Sequence, residues 1–269
     1  MCGASRFGGL MHVLMVGCGN MGASLLARWV DVPGMTYSVV DPIATFPDSR
    51  VQMFKSAADI QGGPFDLLII AVKPQMIADV IPDYLEHVRD DAPALSIAAG
   101  VSCKRLESIV GARPVIRVMP NMPASIGKGV SGLLFNDKTP DEVKEQARTM
   151  MRAAGSVVEV EQEDGLDRFT AIAGSGPGFV FEIARAFMEA AKELGFDDNQ
   201  SRKLVLDTIA GTIEMASQSK DDLADLRNAV TSKAGATEAG LKELNGNGEL
   251  TRLLLATTQA AYKRTVELR

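Results

Sequence analysis

Continuous runs of apolar residues, not alternating ones, mark the first half of this chain. Met11–Val16, Tyr37–Val40, Leu67–Val72, Ala94–Ala98 and Val115–Met119 are such runs. Runs of this kind suit strands of a parallel sheet covered on both faces. Helical stretches separate most of them, among them about Met21–Val30, and this βαβα order predicts a doubly wound α/β domain of the Rossmann type. A further strand over Gly132–Phe135 and the helix after Thr139 close this half. Thr139-Pro140-Asp141-Glu142 reads as a capping box with proline at the first helical position.

After about Val160 the pattern changes, and no strand is expected from Gly165 onward. Phe179–Leu194 is apolar almost all round, with Phe179, Val180, Phe181, Ile183, Phe187, Met188 and Leu194 on different faces. A helix without a polar face must be buried on all sides, which is easiest if a second subunit covers one of them. Further helices are expected near Asn199–Ser217, Leu223–Thr231, Glu238–Leu244 and Leu250–Leu268. The chain is therefore divided into a leader (1–10), a dinucleotide-binding domain (11–160) and an all-α dimerisation and substrate-binding domain (161–269). In this reading Met11 is the functional start. A lipoprotein-type signal ending near Cys18 is the weaker reading, because His12 breaks its apolar stretch.

Composition narrows the chemistry. The chain has 269 residues, two histidines and three cysteines. Cys2, Cys18 and Cys103 lie far apart, so neither a zinc site nor a disulfide framework is expected, and reduced thiols fit the cytoplasm. The net charge of -6 disfavours nucleic acid and anionic membrane. The longest apolar run, Leu67–Val72, is far short of the ~20 residues needed to span a bilayer. His12 and His87 read as structural or surface residues.

Gly17-Cys18-Gly19-Asn20-Met21-Gly22 is a G-x-G-x-x-G turn between a predicted strand and a predicted helix, the context that dinucleotide binding requires. Gly17 allows the tight turn, Gly19 the approach of a pyrophosphate, and Gly22 close packing of helix on strand. A helix beginning near Asn20 and Met21 supplies N–H donors and a positive dipole end. Asp41, at the end of the second strand, can accept a ribose hydroxyl and would repel a 2′-phosphate. No arginine follows before Arg50, so NAD(P)H is the expected cofactor, with a lean towards NADH. The alternatives are a plain glycine-rich βα turn and a turn-forming aspartate before Pro42.

Four later motifs complete the pattern. Ala71-Val72-Lys73-Pro74-Gln75 follows the third predicted strand. Arg117-Val118-Met119-Pro120-Asn121-Met122-Pro123-Ala124 ends the fifth. Ala173-Gly174-Ser175-Gly176-Pro177-Gly178-Phe179 precedes the apolar helix. Val230-Thr231-Ser232-Lys233-Ala234-Gly235-Ala236-Thr237 runs on to Gly240-Leu241. With the glycine turn, and in this order, they resemble pyrroline-5-carboxylate reductase from Met11 to Arg269. The resemblance implies reduction of 1-pyrroline-5-carboxylate to L-proline, the last step of proline biosynthesis. It also implies an intertwined homodimer or higher homo-oligomer, with loop and cofactor contributed by different subunits.

The residues themselves allow these roles. Ala71, Val72, Lys73 and Pro74 lie at the carboxyl edge of the sheet, where ligands bind in open α/β folds. Lys73 there can reach a cofactor phosphate or ribose, or remain a solvated loop lysine. Asn121 can bond the nicotinamide carboxamide, or serve as a turn asparagine. Arg117, inside an apolar strand, needs a buried partner or a cleft. Ser232, Gly235, Ala236 and Thr237 precede a helix expected near Glu238, and their N–H groups and hydroxyls can hold the substrate carboxylate. Thr237 is also a fair N-cap. Thr237 and Lys73 are the candidate catalytic side chains. The family usually carries Pro-Gly-Gly at Lys233-Ala234-Gly235, and Ala234 is expected to avoid left-handed backbone angles. That departure leaves open a reductase of another cyclic imine or of a hydroxy acid. A non-catalytic NAD(P)-binding regulator is the reading outside enzymology.

Overall fold

A computed structural model of the chain describes residues 10–269; the expected leader, apart from Leu10, lies outside them. Eight strands form one sheet in the order β3-β2-β1-β4-β5-β6-β7-β8. They are β1 (Met11–Val16), β2 (Met35–Val40), β3 (Val51–Phe54), β4 (Leu67–Ile70), β5 (Ala94–Ser96), β6 (Val115–Met119), β7 (Gly129–Phe135) and β8 (Gly155–Glu159). The six strands from β3 to β6 are mutually parallel, which is the Rossmann order. β7 runs antiparallel to β6. Only the 3₁₀ turn Met122–Ile126 joins them, too short a link for a parallel crossover.

β4, the third apolar run, is buried at every position, as a strand covered on both faces must be. One layer of the core joins Val13, Met15, Val39 and Ile69 to Leu25, Leu26 and Trp29 of α1 (Asn20–Trp29). The other joins Leu14, Val16, Leu68 and Ile70 to Ile77 of α2 (Ile77–Val80) and Leu106 of α3 (Cys103–Val110). The indole N–H of Trp29 donates to the Met150 carbonyl at 3.0 Å, tying α1 to α4 (Asp141–Arg152). β3 and β8 were not expected from the apolar runs. Both are edge strands, short and only partly buried, so neither carries a continuous apolar stretch. The expected capping box fails as well. Thr139 is buried, its hydroxyl donates to Asn136 Oδ1 at 2.8 Å, and Pro140 caps α4 without a side-chain bond.

No strand occurs after Glu159 among the described residues. The helices are α5 (Glu163–Phe169), α6 (Gly176–Glu193), α7 (Asp198–Gln218), α8 (Leu223–Ala229), α9 (Ala236–Asn245) and α10 (Glu249–Leu268), with a π-helical turn over Thr170–Gly174. Two compact units emerge, one reaching Ser175 and including Ala261–Arg269, the other spanning Gly176–Ala260. Helix α5 stays with the sheet because Leu166 and Phe169 fill the space beside Gly132, where a Cβ would stand 2.7 Å from the Phe169 ring. In the second unit only Ala184, Ala191 and Val205 form a buried apolar cluster. The expectation that Phe179–Leu194 is buried on all sides does not hold within one chain, where Phe181 is 63% and Phe187 51% exposed. So small a core leaves most of that helix uncovered.

Candidate dinucleotide and anion sites

β1 pairs with β2 on one side and β4 on the other, so the order of strands reverses between β1 and β4. Ligands bind at the carboxyl ends of strands at such a reversal. The glycine turn lies there, and each glycine has its own geometric reason. Gly17 has φ +92°, and a Cβ on it would stand 2.7 Å from the Ala71 carbonyl oxygen. A Cβ on Gly22 would stand 2.7 Å from the Met15 methyl, so helix and strand could not approach as they do. Gly19 has open space around its Cβ position. It caps α1 without a side-chain bond, and no acidic residue lies in the first turn. The N–H groups of Asn20, Met21 and Gly22 thus open the helix with no side-chain cap and no acidic residue in its first turn, which is the form of an anion site.

Asp41 holds this turn from behind. Its Oδ2 accepts the Cys18 N–H at 2.8 Å, and its Oδ1 accepts those of Ile43 and Ala44 at 2.9 and 2.7 Å. Burial pushes the carboxyl up, but these three N–H groups and nearby Lys55 outweigh it and hold it below the ordinary range. The turn-forming geometry is therefore present, around a carboxylate whose charge is favoured by its partners. Burial, and then Asp41, raise the Cys18 thiol, which keeps it protonated and a poor nucleophile. Arg50 precedes β3 and is tied to Asp48 at 2.6 Å and Asp31 at 3.0 Å. It lies at the amino edge of the sheet, away from the glycine turn.

The Ala71 N–H donates to Val16 at 2.8 Å, which brings Ala71-Val72-Lys73-Pro74 against the glycine turn. Lys73 is exposed and leads into a 3₁₀ turn with Pro74 at its first position. Asn121 is held at both ends of its amide. It is 7% exposed, its amide N–H donates to the Ala173 carbonyl at 3.0 Å, and its Oδ1 accepts the Val130 N–H at 2.9 Å. Its amide braces the end of β6, the start of β7 and the π-turn, which matches the reading of Asn121 as a turn asparagine. The sequence could not show this, because the partners are far away along the chain.

Arg117, buried in β6, finds the partner it needs in half-buried Glu163. Glu163 also accepts the Cys103 N–H at 2.6 Å, at the start of α3. Burial, and then Glu163, push the Cys103 thiol up to about 12. His12, the second residue of β1, and His87, beside Glu86, both lie at the amino edge, away from the glycine turn. A cavity of 480 Å³ lined by Asp66, Arg89, Pro93 and Pro114 also opens on that edge.

In the second unit, the loop between α8 and α9 carries Ser232–Gly235. Helix α9 opens at Ala236 with Gly235 as its cap and no side-chain cap bond. Thr237 is therefore in the first helical turn and does not cap it. The Gly235 N–H donates to the Ser232 carbonyl at 3.0 Å, closing a tight turn. Ala234, expected to avoid left-handed angles, has φ 56°. The turn closed by Ser232 and Gly235 imposes that angle, at a cost of about 1–2 kcal/mol for an L-residue. The Ala234 N–H donates to Glu238 Oε2 at 2.6 Å, a contact the sequence reading missed. The N–H groups of Ala236 and Thr237 lead the helix, with the Ser232 and Thr237 hydroxyls close in sequence.

The comparisons with known proteins agree across the chain. Residues 163–268 match the domain family described as pyrroline-5-carboxylate reductase dimerisation. The pyrroline-5-carboxylate reductase of Pseudomonas aeruginosa is 33% identical, covering 96% of this chain and 96% of its own. That of Vibrio alginolyticus is 32% identical, covering 95% and 97%. The solved structure of the Coxiella burnetii pyrroline-5-carboxylate reductase, 28% identical, matches with a TM-score of 0.86 over 95% of this chain and 97% of that one. The Plasmodium falciparum pyrroline carboxylate reductase, solved with NADP bound, shares the fold at a TM-score of 0.82, with 24% identity over 96% and 98%. Sheet order, glycine turn, helical dimerisation domain and near full-length identity together place this chain in the pyrroline-5-carboxylate reductase family.

Proposed function

We propose that this protein reduces 1-pyrroline-5-carboxylate to L-proline, using NADH in preference to NADPH. The observation that carries the reading is the uncapped start of α1 behind Gly19, at the reversal point of the sheet. The residues there fit a dinucleotide. Gly19 leaves room for a pyrophosphate, and the N–H groups of Asn20, Met21 and Gly22 meet its charge. Lys73 adds a cation at the same edge. When bound, the reduced dinucleotide supplies the hydride that converts the ring C=N bond to C–N. The chain's own task is then to bind and orient.

The second unit supplies the anchor for the substrate. Ser232, Ala236 and Thr237, with Gly235 closing the turn between them, offer N–H and hydroxyl donors to a single carboxylate, and the Thr237 hydroxyl is the candidate for a contact to the reacting ring. No histidine or thiol is needed, because a cyclic imine protonates readily in water. Residues 163–268 match a dimerisation domain family, and the exposed faces of α6 are what such a domain would cover in a homodimer or larger homo-oligomer. No helix among the described residues is long and apolar enough to cross a membrane. The free thiols of Cys18 and Cys103 suit a cytoplasmic enzyme.

The lean towards NADH rests on Asp41. Three N–H groups keep it ionised, so it can accept ribose hydroxyls and repel a 2′-phosphate. Arg50 is committed to Asp48 and Asp31. Comparison of kcat/KM for the two cofactors tests this, and a ratio favouring NADPH overturns it. Lys233 and Ala234, in place of the family's Pro-Gly, favour one second reading, a cyclic imino acid with a larger ring. Six-membered ring substrates tested beside pyrroline-5-carboxylate separate the two.

A further inference from the structure

We infer that Glu238 is a positioning residue for the anion loop, holding the Ser232–Gly235 turn in a shape that Lys233 and Ala234 no longer favour by themselves. The inference rests on reading residues 232–237 as the loop that takes the substrate carboxylate. The Gly235 N–H donates to the Ser232 carbonyl at 3.0 Å, so Lys233 and Ala234 are the two corner residues of a four-residue turn. Ala234 has φ 56°, and it is the non-glycine residue with positive φ among those described. A turn with positive φ at its second corner alone favours proline at the first corner and glycine at the second. The family's Pro-Gly meets both preferences. Lys-Ala meets neither, so the corner is both strained and less restricted in the unfolded chain.

The turn is also crowded ahead of the corner, where a Cβ on Gly235 would stand 2.4 Å from the Ser232 hydroxyl and 3.0 Å from the Ser232 carbonyl oxygen. Glu238 supplies what the corner lacks. Its Oε2 accepts the Ala234 N–H at 2.6 Å, a charge-assisted bond of the stronger kind. It stands in the first turn of α9, where the helix dipole favours an acidic side chain. One bond thus fixes the Ala234 peptide, and with it the entry of the chain into Gly235, Ala236 and Thr237. Glu238 also leaves a negative charge near the place proposed for the substrate carboxylate, so its hydrogen bond and its charge should act on KM in opposite directions.

Steady-state kinetics of Glu238→Ala, Glu238→Gln and Glu238→Ala combined with Lys233→Pro and Ala234→Gly test this. Glu238→Ala should raise KM for pyrroline-5-carboxylate about tenfold, for loss of a hydrogen bond to a charged group, with kcat and the KM for NADH within about twofold. Glu238→Gln keeps the acceptor without the charge, so its KM should stay at or below that of the wild type. The triple variant should return KM to within about twofold of the wild type. An unchanged KM in Glu238→Ala, a Gln variant as impaired as the Ala variant, or no recovery in the triple variant each overturns the inference. Amide hydrogen exchange across 232–237 provides a readout without substrate. Exchange should rise in Glu238→Ala and fall again in the triple variant, and equal exchange in all forms overturns the inference. If the wild type turns over no pyrroline-5-carboxylate while exchange behaves as expected, the functional reading fails and the role of Glu238 in the loop stands.

Discussion

The carboxylate of Asp41 accepts the backbone N–H of Cys18 at 2.8 Å, so the end of β2 fixes the middle of the glycine turn. The same carboxylate closes its own turn through Ile43 and Ala44. One carboxylate therefore ties the glycine turn to the segment after β2, at the place proposed for the dinucleotide.

Asp41→Asn retains one acceptor oxygen and loses the charge. The ratio of kcat/KM for NADH over NADPH should fall, by about tenfold if one like-charge repulsion of roughly 1.4 kcal/mol is removed. Stability should respond to pH as well. The folded-state pKa of Asp41 lies below its ordinary 3.8, so its contribution is fully present above that value and is lost as pH falls through the lower one. The denaturation midpoints of wild type and Asp41→Asn, separate at about pH 6, should converge on acidification below the ordinary carboxylate range. A constant gap would remove the ionised clamp from the account.

Gly17→Ala and Gly19→Ala should separate folding from binding. A Cβ at Gly17 meets the Ala71 carbonyl at 2.7 Å with φ +92°, and the variant should lose more than about 2 kcal/mol of stability. Gly19 has φ -68° and open space at its Cβ position. That variant should fold to within about 0.5 kcal/mol of the wild type yet raise KM for NADH at least about tenfold, because the methyl group stands where the phosphates approach. Chemical denaturation and cofactor titration of both variants check the contrast.

Arg117 is buried with Glu163 as its partner. Arg117→Met should cost about 2 kcal/mol by leaving the half-buried Glu163 carboxylate without its counter-charge. Adding Glu163→Gln should recover much of that loss. Urea denaturation of both variants decides it. A single variant as stable as the wild type would mean that solvent, not Arg117, satisfies Glu163.

Thr237 lies in the first turn of α9, beside the N–H groups proposed for the substrate carboxylate. Thr237→Ala should lower kcat/KM for pyrroline-5-carboxylate by about 10–100-fold, the value of one hydrogen bond to a charged group, and leave the KM for NADH unchanged. Wild-type kinetics would remove Thr237 from the site.

The sequence announced the central strands and the glycine turn because burial on both faces and positive φ leave marks in composition. β1, β2, β4 and β6 are nearly continuous apolar runs, and Gly17 is a glycine for a reason visible in one dimension. β3 and β8 left no such mark, since edge strands pair on one side only. Thr139 and Asn121 carry the right residue types for a cap and a ligand, but their hydrogen bonds go to Asn136, Ala173 and Val130. Those partners depend on tertiary packing. Ala234 is the instructive miss. Propensity argues against φ 56° for alanine, and only the turn closed by Ser232 and Gly235, with Glu238 beside it, shows why the chain adopts it.

The central claim is that this chain transfers hydride to the C=N bond of 1-pyrroline-5-carboxylate. The most direct measurement is the oxidation of NADH, and in parallel of NADPH, followed by absorbance with pyrroline-5-carboxylate added, together with quantification of the product. Imine-dependent oxidation that yields one L-proline per dinucleotide, faster with NADH, is the predicted result. Absence of imine-dependent oxidation with either cofactor would contradict the account.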